Sequence, residues 1–407
     1  FSFLVALPVI GLATIIYPLV IHAPDTEKKF FFKLKKLGEY VGKSALIFAL
    51  SLVVIWILYA ANTYRMTKET VAQSIDNNFS LNDTNIKNIY TNKTLHWLNN
   101  HTITRPYTEF GIGVAYVFRR VSGGNGAYFM GKVSSTAFRA YFPTVFLIKE
   151  PIPSLFLMLV AFLYAIAQFA GTLHRSFKNF IRRILDNIAR YLRTSIKEFS
   201  MLLFVAIYSY ISITGNLNIG FRHLFPILPF IYILTAKKIS ELLKKTGEPY
   251  RKFILSSIVC AFLAYLILGT ALAYPSYMSY FNEAAGGPKY GFHYVTDSNA
   301  DWGQDLKRLK SFLAVHPEIG KIRVDYFGGG DIKYYIGDRY LMWWDSKRPV
   351  EAGWYAISTN FLMGSIYDTA KKDSDSYRWL QNKKPAYQVG TSILVYNVTP
   401  EDLKNTY

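Results

Sequence analysis

Six long apolar stretches, with Lys and Arg crowded into every second connection, constrain this chain more than any other feature of its sequence. A helix crossing hydrocarbon needs about 20 apolar residues, and stretches of that kind run at 2–21, 44–62, 143–170, 199–214, 221–236 and 253–273. The connections 22–43, 174–197 and 237–252 hold 19 of the 46 Lys and Arg but only 6 of the 27 Asp and Glu. Cation-rich connections resist translocation, so all three are predicted inside and the orientation of every span is fixed together. The formal charge of +19 is therefore a consequence of topology, and no nucleic-acid partner needs to be invoked.

The expected fold is a polytopic α-helical membrane protein of about six spans with a small extracytoplasmic α/β C-terminal domain. Two helices occupy 1–62, an extracytoplasmic loop 63–142, four helices 143–273 and the outer domain 274–407. A composition of 51% hydrophobic and 17% aromatic residues is too apolar for one ordinary soluble domain. The single cysteine, Cys260, excludes an intramolecular disulfide and points to a bacterial envelope, with the plasma (inner) membrane as location. The chain opens at Phe1 inside a hydrophobic run, and is expected to be the C-terminal part of a longer protein.

Within these segments, residues 174–197 repeat apolar side chains at helical spacing with Arg and Lys between them. They predict an amphipathic helix along the inner leaflet. Loop 63–142 is Asn-rich at first, with Asn-x-Ser/Thr triplets at Asn78, Asn82, Asn92 and Asn100, and Asn397 adds a fifth in the tail. The tail predicts a helix over 302–315, strands at 321–327, 353–359 and 392–398, and short helices near 365–371 and 374–381.

Three constellations carry chemistry. Arg222 and His223 follow the fourth apolar run, at the outer mouth of the fifth. A charge at membrane depth is costly without a partner, and a guanidinium fork suits a phosphate. Lys149 and Glu150 precede Pro151 and Pro153, which bend the helix and free its carbonyls. Asn282 and Glu283, with Asp297, Asn299 and Asp301, leave the membrane directly after the last span and could face a site at the lipid boundary. The alternation of Asp297, Asn299 and Asp301 starts like a calcium loop. Trp302 then stands where that loop needs glycine, and Arg308 where it needs glutamate. A duller account makes Asn299 or Asp301 the cap of the following helix.

At these places the chain resembles bacterial lipid-carrier-dependent glycosyltransferases related to protein O-mannosyltransferases, of the C-type superfamily. The stretches that carry the resemblance are YFPTVFLIKEPIPSLFL (141–157), LNIGFRHLFPILPF (217–230), YPSYMSYFNEAAGGPKYGFHYVTDSNADWGQDLKRLKSFL (274–313) and VGTSILVYNV (389–398). The resemblance implies a membrane transferase that moves a sugar from a polyprenyl-phosphate donor to an extracytoplasmic glycan, lipid or protein acceptor. In that superfamily a carboxylate on the first external loop is the general base and inverts the anomeric carbon. That loop would precede Phe1, so no residue here inherits the role and the catalytic residue is unknown.

By the same resemblance Arg222 would steady the donor phosphate. Lys149, His223, Asn282, Glu283, Asp297, Asn299 and Asp301 complete the substrate-binding candidates, with no metal ligand among them. Phe138-Arg139-Ala140 departs from the bulky aromatic expected before Tyr-Phe-Pro. No soluble cofactor is implied, and a divalent cation is left open. Two rival readings stand beside this one: a transporter or flippase of lipid-linked sugars, and a non-catalytic envelope assembly protein.

Overall fold

Apolar runs of 19 residues or more become helices because a chain in hydrocarbon must satisfy every peptide group internally. A computed structural model describes residues 2–21, 28–173 and 180–404. The protein is mostly helical, and among the described residues four helices are long and apolar enough to cross a membrane: Lys29–Thr63, Ile152–Ala170, Ile196–Thr214 and Pro249–Leu272. The chain divides into two compact units, one from 1–123 and 168–208, the other from 124–167 and 209–407.

In the first unit α1 (Ser2–Val20) packs on α2 (Lys29–Thr63), with Thr14 and Ser44 hydroxyls 2.9 Å apart and Tyr17 edge-on to Tyr40 at 5.4 Å. Much of the basic connection predicted at 22–43 is helical: α2 begins at Lys29, where Glu39 pairs with Lys36 and Lys43 at 2.8 and 2.6 Å. The segment read as an Asn-rich loop folds into α3 (Lys68–Asn78), α4 (Ile86–Asn100) and α5 (Pro106–Gly123). Thr67 and Asn85 cap the first two through their side-chain oxygens, each satisfying an orphan N–H of a first turn. Val71, Ile75, Phe79, Leu95 and Ile112 form the core beneath them.

Asn92 is buried, and its amide donates to Asp76 at 2.9 Å and to the Phe79 carbonyl at 2.6 Å. The triplet there cannot carry a glycan in the folded protein.

The second unit starts with the hairpin β1 (Ala127–Phe129) and β2 (Lys132–Ser134). The apolar run expected as one span at 143–170 is broken in two. α6 (Tyr141–Lys149) stops at Glu150, which is extended (φ −75°, ψ 137°), and α7 (Ile152–Leu173) starts beyond Pro151. Proline bars the residue before it from the helical region and supplies no N–H of its own. Beyond the undescribed 174–179, the predicted amphipathic segment is α8 (Phe180–Thr194), which belongs to the first unit, as does α9 (Ile196–Thr214) up to Tyr208.

The run at 221–236 is also not one span. A single 3₁₀ turn, Phe221–Leu224, is separated by Pro226 from α10 (Leu228–Lys245), whose last turns carry Lys237, Lys238, Lys244 and Lys245. α11 (Pro249–Leu272) is apolar throughout its middle, and its Phe262 meets Phe156 of α7 at 5.2 Å.

The tail is a mixed five-stranded sheet. The predicted helix at 302–315 begins only at Leu306, as α12 (Leu306–Val315), because Gly303 is left-handed (φ 80°). β3 (Ile322–Asp325), α13 (Ile332–Ile336) and β4 (Tyr340–Met342) follow, then β5 (Gly353–Ser358) and α14 (Thr359–Ile366), and last β6 (Tyr387–Val389), β7 (Ile393–Val398) and α15 (Pro400–Lys404). The order is β4-β3-β5-β7-β6, parallel among the first three and antiparallel at β5–β7 and β7–β6. Leu306, Leu309 and Leu313 of α12 bury against Ile322, Val324, Ile393 and Val395 on one face. The predicted strands stand within two residues of their bounds. The predicted helices near 365–371 and 374–381 do not: α14 ends at Ile366, and two 3₁₀ turns occupy 373–375 and 378–380.

Candidate functional site

Breaking the run at Glu150 leaves α6 with carbonyls that no following turn can satisfy. The polar residues after α11 fill that need. The Asn282 backbone N–H donates to Ile148 O at 2.9 Å, and its side-chain amide donates to Leu147 O at 2.7 Å and Glu150 O at 2.8 Å. Lys149 turns the other way, its ammonium donating to the carbonyls of Met278 at 2.7 Å and Asn299 at 2.6 Å and lying 4.3 Å from the Phe281 ring centre. Glu150 does not pair with its neighbour: its carboxylate accepts the Tyr232 hydroxyl at 2.9 and 3.0 Å.

Asn299 ties three segments together. Its carbonyl oxygen accepts the Phe221 N–H at 2.9 Å, and its amide donates to the Tyr141 hydroxyl at 2.8 Å and to Thr296 O at 3.0 Å. Phe221 can approach because Gly220 is left-handed (φ 135°) and a Cβ there would stand 2.2 Å from the Ser298 hydroxyl. Ser298 in turn donates to Ile219 O. This lattice fixes the short turn that carries Arg222.

The Arg222 side chain enters a cavity of about 690 Å³. Lys149 and Pro151 line it, with Phe221, Phe225 and Tyr232, the α11 face of Tyr265, Leu266, Gly269 and Thr270, then Tyr277, Met278, Tyr280, Ser298 and Trp302. Among the described residues no carboxylate lies within ion-pair distance of Arg222, and its guanidinium instead stands 4.9 Å from the Trp302 ring centre. No Asp or Glu is among the lining residues. Chemically, this is an apolar wall with one exposed cation that is free to take an anion.

The structure therefore brings Arg222 and Lys149 of the expected set to one cavity and separates the rest. Asn282, Asn299 and Asp301, expected to touch substrate, are buried and face protein partners. Neither Asn299 nor Asp301 caps α12, since the residue before that helix is Asp305. Asp297 is left-handed (φ 56°) with its N–H on the Asn360 side chain, and Glu283 is exposed beside Tyr265. His223 is half-buried, its N–H on Gly220 O, and is not a lining residue. The calcium-like alternation does not converge, and among the described residues no group of three His, Cys, Asp or Glu is placed to hold a metal.

Trp302, Tyr232 and Tyr277 were missed from sequence. For Trp302 the available signal was only a bulky ring set among acids.

Asp301 has a different consequence. Its carboxylate accepts the Gly303 N–H at 3.0 Å, but burial pushes its pKa from 3.8 up to about 7, against the pull of that amide. Between those two values the folded state holds a proton that the unfolded state has lost, so stability falls as pH rises through the window. Each tenfold shift in that equilibrium is worth about 1.4 kcal/mol. Asp301→Asn is expected to flatten the decline and to unfold later than the parent above about pH 7, read from thermal midpoints across the window. An unchanged pH profile would mean that Asp301 is ionised in the fold.

No family model, curated protein or solved structure matches the chain.

Proposed function

We propose that the chain binds a sugar-bearing polyprenyl phosphate and serves a membrane glycosyltransferase, the sugar passing to an acceptor hydroxyl outside a bacterial plasma membrane. The carrying observation is an exposed guanidinium without an acid partner set over a wall of aromatic and aliphatic side chains. An isoprenoid tail takes such a wall by burial, at about 0.8 kcal/mol per methylene removed from water. A phosphate takes the planar fork.

In the transfer, the acceptor oxygen bonds to the anomeric carbon while that carbon's bond to the phosphate oxygen breaks, its electron pair leaving with the lipid phosphate. The hydroxyl proton passes to a carboxylate base, expected from outside this cavity. A sugar phosphodiester carries one negative charge and the departing monoester approaches two. Arg222 therefore binds the transition state more strongly than the donor, which is what accelerates the step. On this reading six apolar segments embed the protein, the basic connections lie inside, and the sheet domain lies outside.

The test is binding of polyprenyl phosphate to the purified chain in lipid nanodiscs, followed by transfer from labelled polyprenyl-phosphate sugars in membranes. Binding is expected to resist competition by the uncharged polyprenol, and label is expected to reach an acceptor. Equal binding of polyprenol would sink the reading. Label that crosses the bilayer still attached to its lipid would favour a flippase.

A further inference from the structure

Trp302 is held more firmly than its position requires. Its backbone N–H donates to the Gln304 side chain at 2.8 Å, whose amide donates back to Ala300 O at 2.9 Å, and the Tyr326 hydroxyl fixes Gly303 O at 2.5 Å. Gly303 and Gly328 let that loop close, because their Cα atoms approach too tightly for any side chain: a Cβ on either would stand 2.8 Å from the other's Cα. The indole is braced edge-on by Phe327 at 5.7 Å, and Phe327 by Phe361 at 5.5 Å. Arg222 lies over one face of the indole, yet Trp302 as a residue remains 51% exposed and lines the same cavity. A large aromatic surface costs stability when left in water, and a braced, open ring is the form that a stacking platform takes.

We propose that Trp302 is the platform on which the sugar of the donor stacks, a deduction that rests on the lipid-phosphate reading above. A sugar joined to the phosphate is one bond from the group that Arg222 grips, and Arg222 lies 4.9 Å from the indole centre. The ring of a pyranose therefore reaches the part of the indole that the guanidinium leaves open, still within reach of Arg222. Pyranose faces present C–H groups of slight positive character, which the negative face of an indole attracts while burying apolar area. Such contact sets the orientation of the anomeric carbon, so Trp302 is a positioning residue that reads the sugar, whereas Arg222 reads the phosphate.

The experiment measures affinities of the full chain in nanodiscs for two probes, polyprenyl phosphate and polyprenyl-phosphate hexose. Trp302→Ala is expected to weaken the hexose-bearing lipid about tenfold, the scale of one good aromatic contact, and the sugar-free lipid far less. Trp302→Phe keeps a flat ring and is expected to recover most of the difference, while Arg222→Ala weakens both lipids alike. Equal loss of both lipids in Trp302→Ala would reduce the indole to a prop for the guanidinium and overturn the proposal, as would no loss of either. Failure of the unaltered chain to bind either lipid would instead remove the reading on which the proposal rests.

Discussion

Arg222→Ala is expected to lower transfer from a lipid-phosphate donor by about a hundred- to a thousandfold, the cost of removing one charge-stabilising donor from a site of this kind. Thermal unfolding is expected to stay where it was. Arg222 is exposed, its guanidinium has no acid partner among the described residues, and the turn that carries it is held by Asn299 and Ser298 through backbone groups. Surface side chains without such partners change stability by about 0.5 kcal/mol or less. Arg222→Lys separates charge from shape: a lysine restores one positive charge but not the paired donors, so recovery is expected to be partial. The ratio kcat/KM with labelled donor is the readout. Unchanged kinetics in the alanine variant would detach the cavity from the donor.

The largest loss of stability is expected at Asp305. Its carboxylate is fully buried and accepts the N–H groups of Thr391 at 2.8 Å and Ser392 at 2.9 Å and the Ser392 hydroxyl at 2.9 Å, and it pairs with Arg308. Thr391 and Ser392 form the turn into β7, which lies between β5 and β6. Gly390 is left-handed (φ 61°) and a Cβ there would stand 2.3 Å from this carboxyl, so the turn is shaped around the acid. Asp305→Ala leaves two buried N–H groups and a cation without their acceptor, and about 3–5 kcal/mol of stability is expected to go with it. Near-ultraviolet circular dichroism during heating of the detergent-solubilised protein would show it. A midpoint within a degree or two of the parent would mean that water replaces the carboxylate, against the burial seen here.

What the sequence disclosed follows the range of the forces involved. The apolar run at 44–62 lies inside one helix, and that at 253–273 fills another to its C-cap Ala273, because hydrocarbon leaves the backbone no alternative. In the tail β3, β5 and β7 were legible from alternation and β-branched content, whereas the three-residue β4 and β6 were not read. The helices at 68–78 and 86–100 were not read: their polar composition masked the caps Thr67 and Asn85 and the spacing of Val71, Ile75 and Phe79. Pro151 was visible as a bend, though not as the end of a helix.

The roles of Asn282 and Asn299 were out of reach, because their partners lie 132 and 78 residues away in the chain. A polar side chain beside an apolar run looks the same whether it awaits a ligand or a bare carbonyl. Arg222 was singled out for another reason: a charge beside an apolar run is costly without a partner, and the structure sets it in a cavity with no Asp or Glu in its lining.

The bonds from Asn282 and Asn299 back to α6 and to Phe221 carry one more consequence. They make the segment that follows α11 a keystone of this unit, and not a detachable appendage. A chain cut after α11 would lose the amides that close the end of α6 and hold the turn bearing Arg222, so the cavity would lose its brace although every lining residue up to Thr270 remained. Ribosomal synthesis delivers those amides only after the helices they brace, and the pocket can reach its working shape only once the last third of the polypeptide has emerged.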